Sequence, residues 1–212
     1  MKVAVLGASG PTGRQVTALA CAAGHDVVAV VRRPGSVTPG ERLTVETADV
    51  TDVADMTSVF KGADAVLSCL GAPYSWRPVT VYSASARAVV DGMRAADVRR
   101  LVVVSAGLTH PVTRGGVRWQ RPVYGILRNG PGRTLYADMR RMEDILTGAR
   151  DLEWTVMRPA RLSDEARPGD ELRVTADLPG GRAWTTRRDL AIAMLDELTT
   201  PHTHQSPFVT TR

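Results

Sequence analysis

Gly7, Gly10 and Gly13 stand three residues apart in the run Gly7-Ala8-Ser9-Gly10-Pro11-Thr12-Gly13, with Ser9 and Thr12 between them. Glycines at this spacing let a backbone turn tightly and come close to an anion, and neighbouring hydroxyls can donate to phosphate oxygens. Pro11 suits the first turn of a helix, where a missing N–H costs nothing. The chemistry this predicts is the seating of a dinucleotide pyrophosphate at a helix N-terminus. The spacing is one residue longer than the more widespread Gly-x-Gly-x-x-Gly, and a tight turn without a ligand is the competing reading.

About twenty positions further on, where an NAD site places an acid for the ribose 2′-hydroxyl, the chain has Arg32 and Arg33. A guanidinium matches phosphate geometry and an acid would repel it, so the expected cofactor is NADPH/NADP+. The alternative is that both arginines are solvated loop residues. Asp49 and Val50 fall where an adenine would lie, although Asp49 is as well suited to start a turn beside Asp52. Leu70, Gly71 and Ala72 are small residues past another apolar run, suited to close backbone approach by the cofactor's ribose and nicotinamide half.

Three residues are candidates for the reaction itself. Ser105 closes an apolar run and is expected to touch substrate or nicotinamide, while Tyr136 and Arg140 lie one helical turn apart and share a face. A tyrosine whose pKa is lowered by a nearby cation could protonate a developing alkoxide. Against this, Tyr136 could simply pack and Arg140 could pair with Asp144. His25, His110, His202 and His204 show no metal-ligand spacing with acids or cysteines, so no metal is expected. His110 is expected to be exposed, and His202 and His204 to lie near a frayed terminus.

Elements must hold these residues in place. Apolar runs predict strands over 3–6, 26–31, 43–47, 65–69, 101–105 and 154–157. Helical patterns occupy 12–23, 53–60, 80–96, 134–147 and 186–198. Such alternation predicts an α/β fold: one Rossmann-like domain over 1–212, a doubly wound parallel sheet flanked by helices. Asp52 and Thr186 are candidate N-caps, and Gly24 and Gly62 candidate helix stops. The stretch 106–133 is rich in Gly and Pro, leaves the carboxyl end of the fifth strand, and reads as a substrate loop carrying Trp119 and Tyr124. A second irregular segment, 163–183, is expected to close the same cleft.

Bulk properties exclude other classes. The chain has 212 residues, 43% of them hydrophobic, enough for one well-filled domain and no more. Its net charge of +5 comes from arginines scattered among acids, with lysine only at Lys2 and Lys61, which does not resemble a nucleic-acid stripe. No apolar run has membrane-spanning length, and the N-terminus reads as a core strand, so a cytoplasmic protein without membrane or nucleic-acid partners is expected. Cys21 and Cys69 suggest buried thiols and no disulfide framework. A small-molecule substrate and a monomer or homodimer are expected.

With these segments the chain resembles the atypical short-chain dehydrogenase/reductases, and more narrowly the NAD(P)H-binding, NmrA-like group that includes the flavin reductase biliverdin reductase B. The markers run through the chain, from the glycine turn and Val31-Arg32-Arg33 to Val103-Val104-Ser105-Ala106, Glu143-Asp144-Ile145-Leu146 and Trp154-Thr155-Val156-Met157-Arg158-Pro159. The resemblance implies about seven strands, NADPH at the strand carboxyl ends and Pro159 beside the nicotinamide. It implies an NADPH-dependent reductase acting on a ketone, quinone, flavin or conjugated double bond. A non-catalytic NADP(H)-binding sensor, or an epimerase, dehydratase or cyclase on the same fold, is the alternative. One departure stands out: members with Tyr-x-x-x-Lys are matched here by Tyr136-x-x-x-Arg140.

Overall fold

Valine-rich runs bounded by turn residues make strands that are apolar on both faces, and such strands need a helical layer on each side. The computed structural model describes residues 1–110, 121–166, 169–178 and 184–212, without the side chains of Arg121 and Tyr124. Six parallel strands form its frame: β1 (Lys2–Leu6), β2 (Asp26–Val31), β3 (Leu43–Thr47), β4 (Ala65–Ser68), β5 (Arg100–Val104) and β6 (Glu153–Pro159). They lie in the order β3-β2-β1-β4-β5-β6, so the winding reverses between β1 and β4. In open α/β sheets, ligands bind in the crevice outside the carboxyl ends at that reversal.

Two helices, α1 (Pro11–Ala22) and α6 (Arg187–Asp196), cover one face with Val16, Ala20, Leu190 and Met194 against Val3 and Val5. The other face is covered by α2 (Val53–Phe60), α3 (Val81–Ala95) and α5 (Arg133–Gly148). There Met56, Phe60, Met93 and Leu146 pack toward Ala4 and Leu6. Boundaries of β2, β3 and α2 are as the periodicity predicts, and the other expected elements end within two residues of prediction. Asp52 accepts from Asp55 N at 2.9 Å and Thr186 from Asp189 N at 2.9 Å, as N-caps should. Gly24 and Gly62 end their helices at φ of 84° and 69°.

The sheet is larger than the expected seven strands. Among the described residues it has ten, the additions past β6 being β7 (Arg161–Ser163), β8 (Leu172–Thr175), β9 (Trp184–Thr186) and β10 (Phe208–Thr211). At three or four residues each, these strands are too short and too polar to set up a readable alternation. β10 runs parallel to β6 and antiparallel to β8 and β9, so the C-terminal segment is built in and not frayed. His202 and His204 follow suit: Glu197 holds His202, and His204 Nε2 meets Leu152 O at 2.8 Å with its ring against Trp154.

The region 106–133 is not one long loop either. It contains α4 (Arg121–Asn129), with Pro122 in its first turn, where proline is compatible with a helix. Trp119 lies outside the described residues, and Tyr124 is placed only as a residue of α4. No helix among the described residues is long and apolar enough to cross a membrane. Cys69 is buried, which pushes its thiol up to about 12, whereas Cys21 is only half-buried and so departs from expectation.

Candidate functional site

A groove of about 1660 Å³ runs across the carboxyl ends of β1, β2, β4, β5 and β6. At one end lies the glycine turn, whose residues each have a distinct geometric reason to be small. Gly7 has φ of 74°, and a Cβ there would sit 2.9 Å from Cys69 O. A Cβ on Gly13 would sit 2.2 Å from Gly7 O, so this glycine seats α1 against the turn and does not line the groove. Gly10 is the N-cap of α1 and carries no side-chain cap, while Ser9, Pro11 and Thr12 line the groove beside it. The N-termini of α2 and α6 are capped by their own side chains. An uncapped helix start opening onto a groove is the arrangement that fits a phosphate.

Arg32 is exposed and lines the next part of the groove; Arg33 lies beyond it, exposed, its carbonyl accepting from Ser36 Oγ at 2.8 Å. Of the two arginines, geometry brings only Arg32 to the site. Asp49 and Val50 also line the groove. Asp49 makes the turn as well: its Oδ1 accepts from Thr51 Oγ1 at 2.7 Å and Thr51 N at 2.9 Å, which holds the carboxyl below its ordinary pKa. Leu70, Gly71 and Ala72 follow, positioned by Tyr82, whose hydroxyl accepts from Ala72 N at 2.9 Å. Burial pushes the Tyr82 phenol up.

At the far end the groove is lined by Ser105, Tyr136 and Pro159, with Tyr74, Leu127 and Met139 as apolar wall. Ser105 is buried, and its hydroxyl donates to Glu143 Oε1 at 2.6 Å with Thr109 Oγ1 2.9 Å away. Glu143 also holds His110 Nε2 at 2.9 Å and the Arg158 guanidinium, so His110 is tethered although its side chain remains 42% exposed. Tyr136 is 4% exposed, and its hydroxyl lies 2.8 Å from that of Tyr74, the rings meeting edge to face. Burial first, and then the Tyr74 hydrogen bond, push the Tyr136 phenol up, contrary to the lowering expected from a neighbouring cation. Arg140 does not line the groove and makes no ion pair with Asp144; its Nη1 donates to Thr109 O at 2.9 Å. Among the described residues no His, Cys, Asp or Glu cluster could hold a metal ion.

The sequence matches the family described as NAD(P)H-binding over residues 7–201, which takes in every element from the glycine turn through α6. The chain belongs to the NAD(P)H-binding family. Its sequence is 28% identical over 214 residues to the uncharacterized protein YwnB of Bacillus subtilis, covering 95% of this chain and 93% of that one. Two solved structures share the fold. The oxidoreductase YlbE of Lactococcus lactis matches with TM-score 0.80 and 17% identity, over 99% of this chain and 90% of that one. A Veillonella parvula short-chain dehydrogenase/reductase in complex with NADP matches with TM-score 0.78 and 17% identity, over 98% and 93%.

Within this NAD(P)H-binding frame, three contributors have no role assigned from the sequence, although Glu143 stands in one of the marker segments. Asp138 of α5 is fully buried and caps α3 from outside: it accepts from Tyr82 N at 2.9 Å, Ser83 N at 3.3 Å and Ser83 Oγ at 2.6 Å, with Arg141 at 3.0 Å. Glu143 organises Ser105, and Tyr74 partners Tyr136. For the two acids a signal exists. They interrupt the buried stripe Leu135, Tyr136, Met139, Met142 and Leu146, and an acid on a helix's apolar stripe must be paired. Tyr74, in an irregular segment, gives no such signal.

Proposed function

We propose that this NAD(P)H-binding chain is an NADPH-dependent reductase that delivers hydride to a small organic acceptor. One observation carries the reading: a single groove joins the uncapped start of α1, the exposed Arg32 and the strand ends at Ser105 and Pro159. When bound, NADPH supplies the hydride. The turn from Gly7 to Thr12, with the Ser9 and Thr12 hydroxyls, would hold the pyrophosphate, and Arg32 the 2′-phosphate. Leu70 to Ala72 would border the nicotinamide half, with Pro159 on its other side. Ser105 would contact the acceptor or the nicotinamide, and Tyr74, Leu127, Tyr136 and Met139 would shield the reaction from water. From the segments that follow β5 and β6, Ala106, Leu108, Leu127 and Leu178 line the groove and would face the substrate. Unpaired cysteines fit a reducing, cytoplasmic setting.

A second reading, an NADP(H)-binding sensor, has its own observation. The hydroxyl proton of Ser105 points at Glu143, and Arg140 is turned toward Thr109, away from the groove. Purified protein should be mixed with NADPH and a panel of ketones, quinones and flavins while reduced-nicotinamide absorbance is followed. Thermal shifts with NADPH and NADH run in parallel. Consumption of NADPH, with deuterium from 4-deuterated NADPH appearing in product, supports the reductase. Tight binding without consumption supports the sensor.

A further inference from the structure

Reduction of a carbonyl adds hydride at carbon and leaves a negative oxygen that must gain one proton. Ser105 has a single hydroxyl proton, and it is directed to Glu143 Oε1 at 2.6 Å, away from any acceptor. Glu143 is held in that position from its other oxygen, which meets the Arg158 guanidinium and His110 Nε2. Arg140 is occupied at Thr109 O. Among the other hydroxyls on the groove wall, Ser9 and Thr12 belong to the glycine turn and Tyr82 is held at Ala72 N, whereas Tyr74 and Tyr136 stand together with their oxygens 2.8 Å apart.

Hydrogen counting gives this pair a definite property. Two phenols bring two protons, and one hydrogen bond between them uses one. One O–H is therefore always left to donate, whichever oxygen donates within the pair. The environments differ: Tyr136 is 4% exposed and Tyr74 is 57% exposed. The segment carrying Tyr74 is tied to α5 by Thr134 Oγ1, which donates to Ser75 O at 2.8 Å. Tyr136 is thus the buried member of the pair and Tyr74 the one open to water, joined by a hydrogen bond of ordinary length.

Building on the reductase reading above, we propose that Tyr74 and Tyr136 form a two-hydroxyl proton relay, with Tyr74 recharging Tyr136 from solvent. The O–H bond of Tyr136 breaks as the product's O–H bond forms. The proton of Tyr74 passes to the Tyr136 oxygen, and water replaces it on Tyr74. The net change is one proton from solvent and one hydride from NADPH added to the carbonyl, giving an alcohol. Tyr136 alone touches the acceptor, and Tyr74 acts through it as a positioning residue. The upward push on the Tyr136 phenol suits this division, since the proton stays on the oxygen until a stronger base appears beside it. An alkoxide is such a base, so the relay favours aldehydes and ketones over quinones, whose reduced anions are weaker bases.

The test uses single turnovers of the full chain with NADPH and an aromatic ketone, and with 4-deuterated NADPH to verify that the hydride step is observed. Tyr136→Phe should slow that step about 10²-fold with NADPH affinity unchanged, and Tyr74→Phe about tenfold. In mixtures of H2O and D2O the wild type should give a curved dependence of rate on deuterium fraction, two protons being in flight. Tyr74→Phe should make it linear, a readout that lost packing would not move. The relay is overturned by wild-type rates in either variant, by a linear wild-type dependence, or by unchanged curvature in Tyr74→Phe. A wild type that binds NADPH yet consumes none with any acceptor overturns the reductase reading itself.

Discussion

Replacing Gly13 by alanine puts a methyl group where the fold has no room. Its carbon would lie 2.2 Å from Gly7 O, more than an ångström short of the 3.4 Å at which ordinary contact begins, and 2.8 Å from Ala8 Cα. Both neighbours are backbone, so no side chain can rotate out of the way. The N-terminal turn of α1 must instead lift from the β1 turn by about 1 Å, at an overpacking cost of roughly 3 kcal/mol. For a chain of this size that lowers Tm by about 6–12 °C. The lift would also move the helix N–H groups off the proposed phosphate position, and losing one charge-assisted hydrogen bond there should weaken NADP+ roughly 10- to 100-fold. Gly10→Ala separates the two effects. Its Cβ would stand 3.2 Å from Gly7 O, so stability should fall by only about 1 kcal/mol while the methyl enters the phosphate path. The assay is thermal unfolding with and without NADP+, where ligand stabilisation reports affinity. A Gly13→Ala protein that melts within about 2 °C of wild type and keeps its NADP+ shift would refute the reasoning.

Other perturbations follow from the same geometry. Arg32→Glu should weaken NADPH far more than NADH, by about 10- to 100-fold for one charge-assisted contact, and calorimetric titration showing equal losses would remove the 2′-phosphate assignment. Asp138→Ala strips α3 of its cap and leaves buried donors without partners, so urea unfolding should show a loss of about 3 kcal/mol. Asp138→Asn, which keeps one acceptor, should lose about half of that. The phenols of Tyr82 and Tyr136 are both pushed up by burial. An unfolded phenol ionises near pH 10, so above about that value the unfolded chain sheds protons that the folded one keeps. Stability should therefore fall as pH rises above 10, and Tyr136→Phe should flatten the fall in Tm.

The frame of the fold was legible because it is written in long apolar periods. The runs that became β1 to β6 are short, aliphatic and separated by helical patterns, which only a covered parallel sheet satisfies. The glycine turn was legible for a related reason: each glycine there meets backbone, so its chemistry is local. What stayed hidden is non-local. β7 to β10 earn their place by pairing with one another and not by any alternation of their own. α4 is masked by proline and glycine on every side. Asp138 and Glu143 act across tens of residues, on α3 and on the end of β5, and only tertiary packing brings their partners to them. Tyr136 illustrates both limits, since its spacing from Arg140 was visible but the partner that occupies its hydroxyl, Tyr74, lies 62 positions away.

The closeness of Gly7 to Cys69 has a consequence for how the two ends of the groove communicate. A Cβ on Gly7 would lie 2.9 Å from Cys69 O and 3.2 Å from Leu70 N, so the turns after β1 and β4 rest against each other main chain to main chain. No flexible side chain lies between them to absorb a displacement. A fragment that fills only the adenosine-phosphate end would stiffen the turn after β1, and through it the turn that borders the other end. The second fragment would then meet a partly ordered seat, and its affinity would rise without any contact between the fragments. Seen this way, Gly7 would couple the two ends of the groove through main-chain contact alone.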